Sequence, residues 1–212
     1  MSRTLRRLSL VASLLVAPAS LATLAAVAPA HAAENASATG FLKERQTGLM
    51  KTLRASKPGP ERAKKVNAEL ATFIDYDEMA RASLGDEWGK RNDAERKQFT
   101  DLLRQLIEKN YTKRMDEMVD YEVDYKSEAT NSGDTTVKTE AHNLKDRRAA
   151  AVLVDYVLRK KGAAYVIVDI IPEGSSYVKT YYKEFTKVLK KPAPDGGWDA
   201  LIAKMNKKLK EP

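Results

Sequence analysis

Two periodicities divide the chain. Between residues 41 and 118, and again after residue 175, apolar positions recur every three or four residues, the spacing of one helix face. Between residues 121 and 171 they recur every second residue, or run together, as in strands. Phe41 to Arg54 is a helix candidate with Leu42, Leu49, Met50 and Leu53 on one side, broken by Lys57-Pro-Gly-Pro60. Pro60 suits the first turn of a second helix, whose apolar face is Ala63, Val66, Leu70, Phe73 and Ile74. Asp75 or Asp77 can cap a short helix holding Met79, Ala80 and Leu84, which Gly85 ends. Asn92-Asp-Ala-Glu95 resembles a capping box and opens the longest helix, Asp93 to Met118.

Tyr121, Val123 and Tyr125 then alternate with Glu122, Asp124 and Lys126, predicting a strand with one wet face. After the Asn131-Ser-Gly-Asp134 turn, Thr135 to His142 is a second, polar strand with Val137 as its best core residue. Asn143 to Arg148 is a loop. Ala149 to Arg159 and Ala163 to Ile171 are apolar on both faces and read as the central strands, joined at Gly162. Pro172 stops the last strand, and Ser175 or Ser176 caps a helix bearing Val178, Tyr181, Tyr182, Phe185, Val188 and Leu189 on one face. Trp198, Leu201, Ile202, Met205 and Leu209 give a final helix its buried face. The order predicts an α+β domain: a curved four-stranded antiparallel sheet with helices packed mainly on one face.

The N-terminus changes the picture. Arg3, Arg6 and Arg7, the apolar run from Leu8 to about Leu24, and Ala30-His31-Ala32 form a secretory signal over residues 1–32, cleaved near Ala33. An uncleaved anchor over Leu8 to Ala30 is the weaker alternative. One domain, 33–212, remains, with Ala33 to Thr39 as a frayed start. The net charge of +8 falls to +5 once those three arginines are set aside, because residues 1–32 hold no acid. This basicity suits either anionic surfaces or scattered solvated lysines, and no arginine–aromatic cluster points to nucleic acid. The chain has no cysteine, which excludes disulfides, thiol chemistry and a lipid attached through cysteine.

Catalytic signals are sparse. Only His142 remains after cleavage, and no nucleophile elbow, phosphate loop, dinucleotide fingerprint or metal spacing is present. Asp155 and Asp169 lie on the two central strands. Facing each other in an apolar hollow, they would share a perturbed proton and make a small secreted enzyme. Pairing of each with Arg147, Arg148, Arg159 or a backbone donor is the structural alternative.

The central hairpin carries a resemblance. Strand, Lys-Lys-Gly turn, strand, Ile-Pro-Glu-Gly, Ser-Ser-Tyr-Val and a helix with Phe185 follow in the order of the MlaC, or toluene-tolerance, family of periplasmic phospholipid-binding proteins. Phe73-Ile-Asp-Tyr-Asp-Glu with Leu84-Gly85, Trp88 with Glu95 to Phe99, and Gly196-Gly197-Trp198-Asp199 are similar to further family segments, from Phe41 to Leu209 in all. Tyr165 and Pro172 depart from the pattern.

The resemblance implies a periplasmic carrier, not an enzyme, with no cofactor and with phospholipid as cargo. It implies partners too: an outer-membrane lipoprotein complex, and an inner-membrane ABC transporter with an MCE-domain subunit, of which the protein is an auxiliary component. The implied role is upkeep of outer-membrane lipid asymmetry. An export chaperone that covers unfolded polypeptide is a further alternative.

By periodicity alone the apolar residues are core. The resemblance converts some of them into the wall of a lipid cavity: Leu103, Leu106, Tyr111, Met115, Val123, Tyr125, Val137, Val152, Val154, Tyr156, Val166, Val168, Ile170, Val178, Tyr181 and Phe185. Two acyl chains of about 16 carbons would bury some 30 methylenes at ~0.8 kcal/mol each, enough to offset leaving a bilayer. Met79, Met115 and Met118 would adapt to varied chains. Tyr111, Tyr125 and Tyr156 would stand at the mouth with wet hydroxyls.

Overall fold

The computed structural model describes residues 37–211. The signal segment and its alternative as an anchor lie outside them. Among the described residues, no helix is long and apolar enough to cross a membrane.

Five helices precede the sheet: α1 (Ala38–Ala55), α2 (Pro60–Leu70), α3 (Tyr76–Leu84), α4 (Asp86–Gly89) and α5 (Asp93–Met118). Four strands follow: β1 (Tyr121–Asn131), β2 (Asp134–Asn143), β3 (Val152–Lys161) and β4 (Ala164–Pro172). Helices α6 (Tyr177–Leu189) and α7 (Gly197–Lys210) close the chain. The strands meander in the order β1-β2-β3-β4, all antiparallel. The fold is α+β, with the sheet's inward face under the helices.

Local chemistry sets the boundaries. Asn92 accepts the Glu95 N–H and Glu95 accepts the Asn92 N–H, both at 2.9 Å, completing the box that starts α5. Asp75 caps α3 through the Glu78 N–H, and Ser176 caps α6 through the Lys179 N–H. Ser132 and Gly133 both have positive φ, as a two-residue type I′ hairpin turn requires.

Of the expected frayed start, Ala33 to Thr39, residues 33–36 lie outside the described residues, and Ser37 to Thr39 are not frayed. Ser37 caps α1, Ala38 is fully buried, and Glu128 of β1 accepts the Thr39 N–H at 2.8 Å and the Thr39 hydroxyl at 2.6 Å. A carboxylate at a helix N-terminus opposes the positive end of the helix dipole, which small-residue composition could not reveal.

Register fixes which side chains face inward. Val123, Ala141 and Val152 form one cross-strand row, and Tyr125, Thr139, Val154 and Pro172 the next. Val137, Tyr156 and Ile170 form the third. Bulges at Lys126 and Val168 shift the register and bend both outer strands. Past its bulge β1 turns Glu128 and Thr130 inward, and Val137 and Leu158 are fully buried there. The Phe73–Asp75 segment bonds to Ile167 through two backbone hydrogen bonds of 2.7 and 2.9 Å, covering part of the β4 edge.

The dense core sits between α3, α5, α6 and α7. Phe99 is 0% exposed, meets Phe185 edge-on at 5.3 Å and Trp198 at 6.0 Å, and Tyr181 stacks on Phe185.

One ion cluster ties this helical layer to the sheet. Arg159 at the end of β3 donates to both oxygens of Asp134, at 2.6 and 2.8 Å, and also to Glu78 of α3. Arg159 holds the Asp134 carboxyl below its usual range, and Arg81 together with Arg159 does so for Glu78. A carboxylate lowered in the fold contributes stability that is full above the unfolded value of about 4 and is lost as pH falls through the folded value. The urea midpoint should therefore be flat from about pH 5 to 7 and fall below about pH 4. The fall should be shallower in Arg159→Met. An identical acid slope in that variant would show that the cluster does not set it.

Candidate functional site

A cavity of about 970 Å³ lies between the inward face of the sheet and the helices α1 and α5. It is at the upper end of the range of ligand pockets, about 300–1,000 Å³. The sheet contributes Tyr121, Val123, Tyr125, Thr139, Ala141, Val152, Val154, Tyr156, Ile167, Ile170 and Pro172. Helix α5 contributes one stripe at helical spacing: Ile107, Asn110, Tyr111, Arg114, Glu117 and Met118. Helix α1 contributes Leu42, Lys43, Gln46, Thr47, Leu49, Met50, Lys51, Arg54 and Ala55, and Leu70, Phe73, Ile74 and Tyr177 complete the wall.

The cavity has a polarity gradient. Leu42, Leu49, Leu70, Phe73, Ile74, Ile107 and Ile167 are buried apolar wall. Lys51, Arg54, Arg114 and Glu117 are exposed, and Val152 is 36% exposed, while Lys43 and Thr47 are exposed on the outer side of α1. Helix α1 starts at Glu128 and reaches Tyr125 through a Tyr125 hydroxyl to Gln46 Oε1 hydrogen bond, so it runs antiparallel to β1. Eight residues from Gln46 to Arg54 rise ~12 Å and four from Tyr125 back to Tyr121 rise ~14 Å, which sets Arg54 level with the start of β1. That end, beside Met118 and Val152, is the mouth.

Polar groups sit between the mouth and the apolar end. Gln46 takes the Tyr125 hydroxyl and also bonds Tyr156. Burial raises the hydroxyl of Tyr156 to about 12, and raises those of Tyr111 and Tyr125 further. All three are therefore neutral hydrogen-bonding groups at ordinary pH. Tyr125 and Tyr156 do not stand at the mouth, because the α1–β1 contact draws them inward onto Gln46, whereas Tyr111 lies one helical turn before Arg114.

The cavity brings together Tyr111, Val123, Tyr125, Val152, Val154, Tyr156 and Ile170 of the sequence-predicted wall. It leaves out the others, each for a local reason. Leu103 and Met115 are buried core residues of α5 outside the lining. Leu106, Tyr181 and Phe185 border only a crevice of about 20 Å³ between α5, α6 and α7. Val137 faces inward but is fully buried in the core past the sheet's third row. Val166, opposite Arg159, points to the outer face, and Val168 occupies the bulge. Val178 packs on the core while its N–H bonds Asp169 at 3.1 Å. Of the methionines, Met50 and Met118 line the cavity, whereas Met79 and Met115 are core.

Strand parity could have found Thr139 and Ala141, which share the face of Val123 and Tyr125 in register. No local signal marks Gln46 or Leu70, because their place depends on how α1 and α2 lie over the sheet.

The two aspartates share a face, but the wrong one for chemistry in the hollow. Val154 and Tyr156 point into the cavity, so Asp155 between them points out. Asp169 opposes Val157 and points out as well. Its carboxylate accepts the Ser176 hydroxyl at 2.5 Å and the N–H groups of Ile170 and Val178. Asp169 is thus a second cap for α6, the backbone-donor arrangement. His142 is also outward, 3.5 Å from Asp124 and 3.6 Å from Glu140. Among the described residues no group of three or more histidine and acidic side chains is placed to hold a metal.

Among curated proteins none matches the chain. Among solved structures it is similar to a phospholipid-binding protein of Ralstonia solanacearum determined in complex with a phospholipid. The TM-score is 0.70 at 17% identity, covering 79% of this chain and 94% of that one. At that identity the likeness speaks for the fold. The family described as "MlaC protein" matches residues 43–207, which runs from within α1 to within α7 and takes in the sheet and every wall residue but Leu42, and the chain belongs to the MlaC family.

Proposed function

We propose that the protein is a periplasmic carrier that takes the acyl chains of a glycerophospholipid into the cavity and leaves the headgroup at the mouth. The observation that carries this reading is the cavity itself: some 970 Å³ enclosed by apolar side chains and open at a charged end. A folded domain ordinarily closes such a space, because unfilled apolar volume costs about 24 cal/mol per Å³. A large unfilled apolar space with a mouth is therefore a site for an apolar ligand. The Ralstonia solanacearum structure, with its phospholipid, supports the ligand class.

The carrier shuttles lipid between an outer-membrane lipoprotein complex and an inner-membrane ABC transporter with an MCE-domain subunit, and so maintains outer-membrane asymmetry. A signal over residues 1–32, cleaved near Ala33, delivers it to the periplasm. The protein works as a binding protein without a cofactor. The enzyme reading loses its basis, since Asp155 and Asp169 lie across the sheet from the cavity.

The test is native mass spectrometry of protein purified without detergent, with organic extraction of the same sample. An added mass matching a phospholipid is expected. Folded protein that stays empty after incubation with phospholipid vesicles would overturn the reading.

A further inference from the structure

Four cations line the cavity: Lys43, Lys51 and Arg54 on α1 and Arg114 on α5. Lys43 lies two turns before Lys51, toward the start of α1, so Lys51, Arg54 and Arg114 are the three at the mouth. Among the described residues none of these three has an ion-pair or hydrogen-bond partner. Most of the other arginines of the folded domain are engaged. Arg62, Arg81, Arg91, Arg96, Arg104 and Arg159 have carboxylate partners, and Arg45 lies over Phe41. Lys51 and Arg54 are one helical turn apart, as are Arg114 and Glu117, so each pair projects from one face. The two pairs border the same opening. Glu117 is the single acid in the lining, so the mouth set of Lys51, Arg54, Arg114 and Glu117 carries +2 and Lys43 brings the whole lining to +3.

We infer that Lys51, Arg54 and Arg114 form a headgroup subsite for the phosphodiester of the cargo and make the carrier selective for anionic over zwitterionic phospholipids. The inference rests on the carrier reading. A lipid whose tails fill the apolar end presents its phosphate at the mouth, where guanidinium groups can hold two oxygens at once. Both lipid classes carry that phosphate. A zwitterionic headgroup adds an ammonium, which meets a rim of net positive charge and has only Glu117 to pair with. A glycerol headgroup adds no positive charge. Exposed charge pairs are individually weak, so the selectivity is modest: on the order of threefold to tenfold from three of them. It also weakens as salt rises, because the groups face water.

The experiment loads the full mature chain from vesicles of equal phosphatidylglycerol and phosphatidylethanolamine. The protein is then separated and its extracted lipid analysed. Wild type should be enriched several-fold in phosphatidylglycerol at low salt. Arg54→Glu with Arg114→Glu should reverse the enrichment, Arg54→Lys with Arg114→Lys should keep it, and Glu117→Gln should strengthen it. Wild type loaded in equal proportion overturns the inference while leaving the carrier reading intact, and wild type that loads no lipid overturns both. The same cations could instead act on the vesicle surface. In that case the charge-reversed protein would load more slowly from phosphatidylglycerol vesicles yet carry cargo of wild-type composition, which also overturns the inference. Competition by inorganic phosphate up to millimolar concentration should leave the cargo ratio unchanged. Loss of enrichment at those concentrations would mark the rim as a free-phosphate site.

Discussion

Val154→Trp should weaken lipid binding roughly a hundredfold while leaving the protein folded. Val154 lies in the middle row of the sheet's inward face, between Thr139 and Pro172, and points into the cavity. In a packed core an added ring system costs about 1–3 kcal/mol through strain. Here it enters about 970 Å³ of open space, so the thermal midpoint should move by only a few degrees. Space denied to about four methylenes at ~0.8 kcal/mol each removes ~3 kcal/mol of binding, roughly a hundredfold in affinity. Val157→Trp is the matched control: the same strand and the same substitution, but on the outer face opposite Asp169. It should load as wild type does. Equal loading of wild type and Val154→Trp, measured by extraction from vesicle-incubated protein, would place the lipid elsewhere.

The contrast between those two positions also shows how far the chain's pattern can be read. Alternation assigns Val154 and Val157 to opposite faces, and the helix and strand starts at Asn92, Tyr121 and Ser176 follow from local chemistry. What alternation cannot say is whether an inward apolar residue meets another side chain or open space. Tyr156 and Leu158 are two residues apart on one strand and share a face. Leu158 is fully buried, whereas Tyr156 borders the cavity. The difference is made by what lies above them, namely the path of α1 over β1 and the stripe of α5 that stops short of the sheet. These are non-local facts, set by Glu128 at one end of α1 and by Gln46 in its middle. The same holds for the aspartates. Their common face depended on a register that the Gly162 turn and the Val168 bulge set together, and composition carries neither.

Phe185→Ala should do the reverse of Val154→Trp, with a large loss of stability and no loss of binding. By its apolar periodicity Phe185 is as good a wall residue as Tyr156. In the fold it is 5% exposed, edge-on to Phe99 and stacked on Tyr181 with ring centroids 5.3 Å apart in both pairs. Truncation removes a buried aromatic and leaves a void that the neighbouring helices cannot fully close, at a cost of about 3–5 kcal/mol. For a domain of this size that lowers the melting temperature by on the order of 10 °C. The void would open beside the 20 Å³ crevice between α5, α6 and α7, not into the cavity under the sheet. At a temperature where the variant is still folded, its lipid content per molecule should therefore equal that of wild type. A variant of near-normal stability that carries little lipid would mean that the tails reach past Leu70 and Ile107 into the helical layer. The boundary between core and cavity would then lie deeper, between α5, α6 and α7.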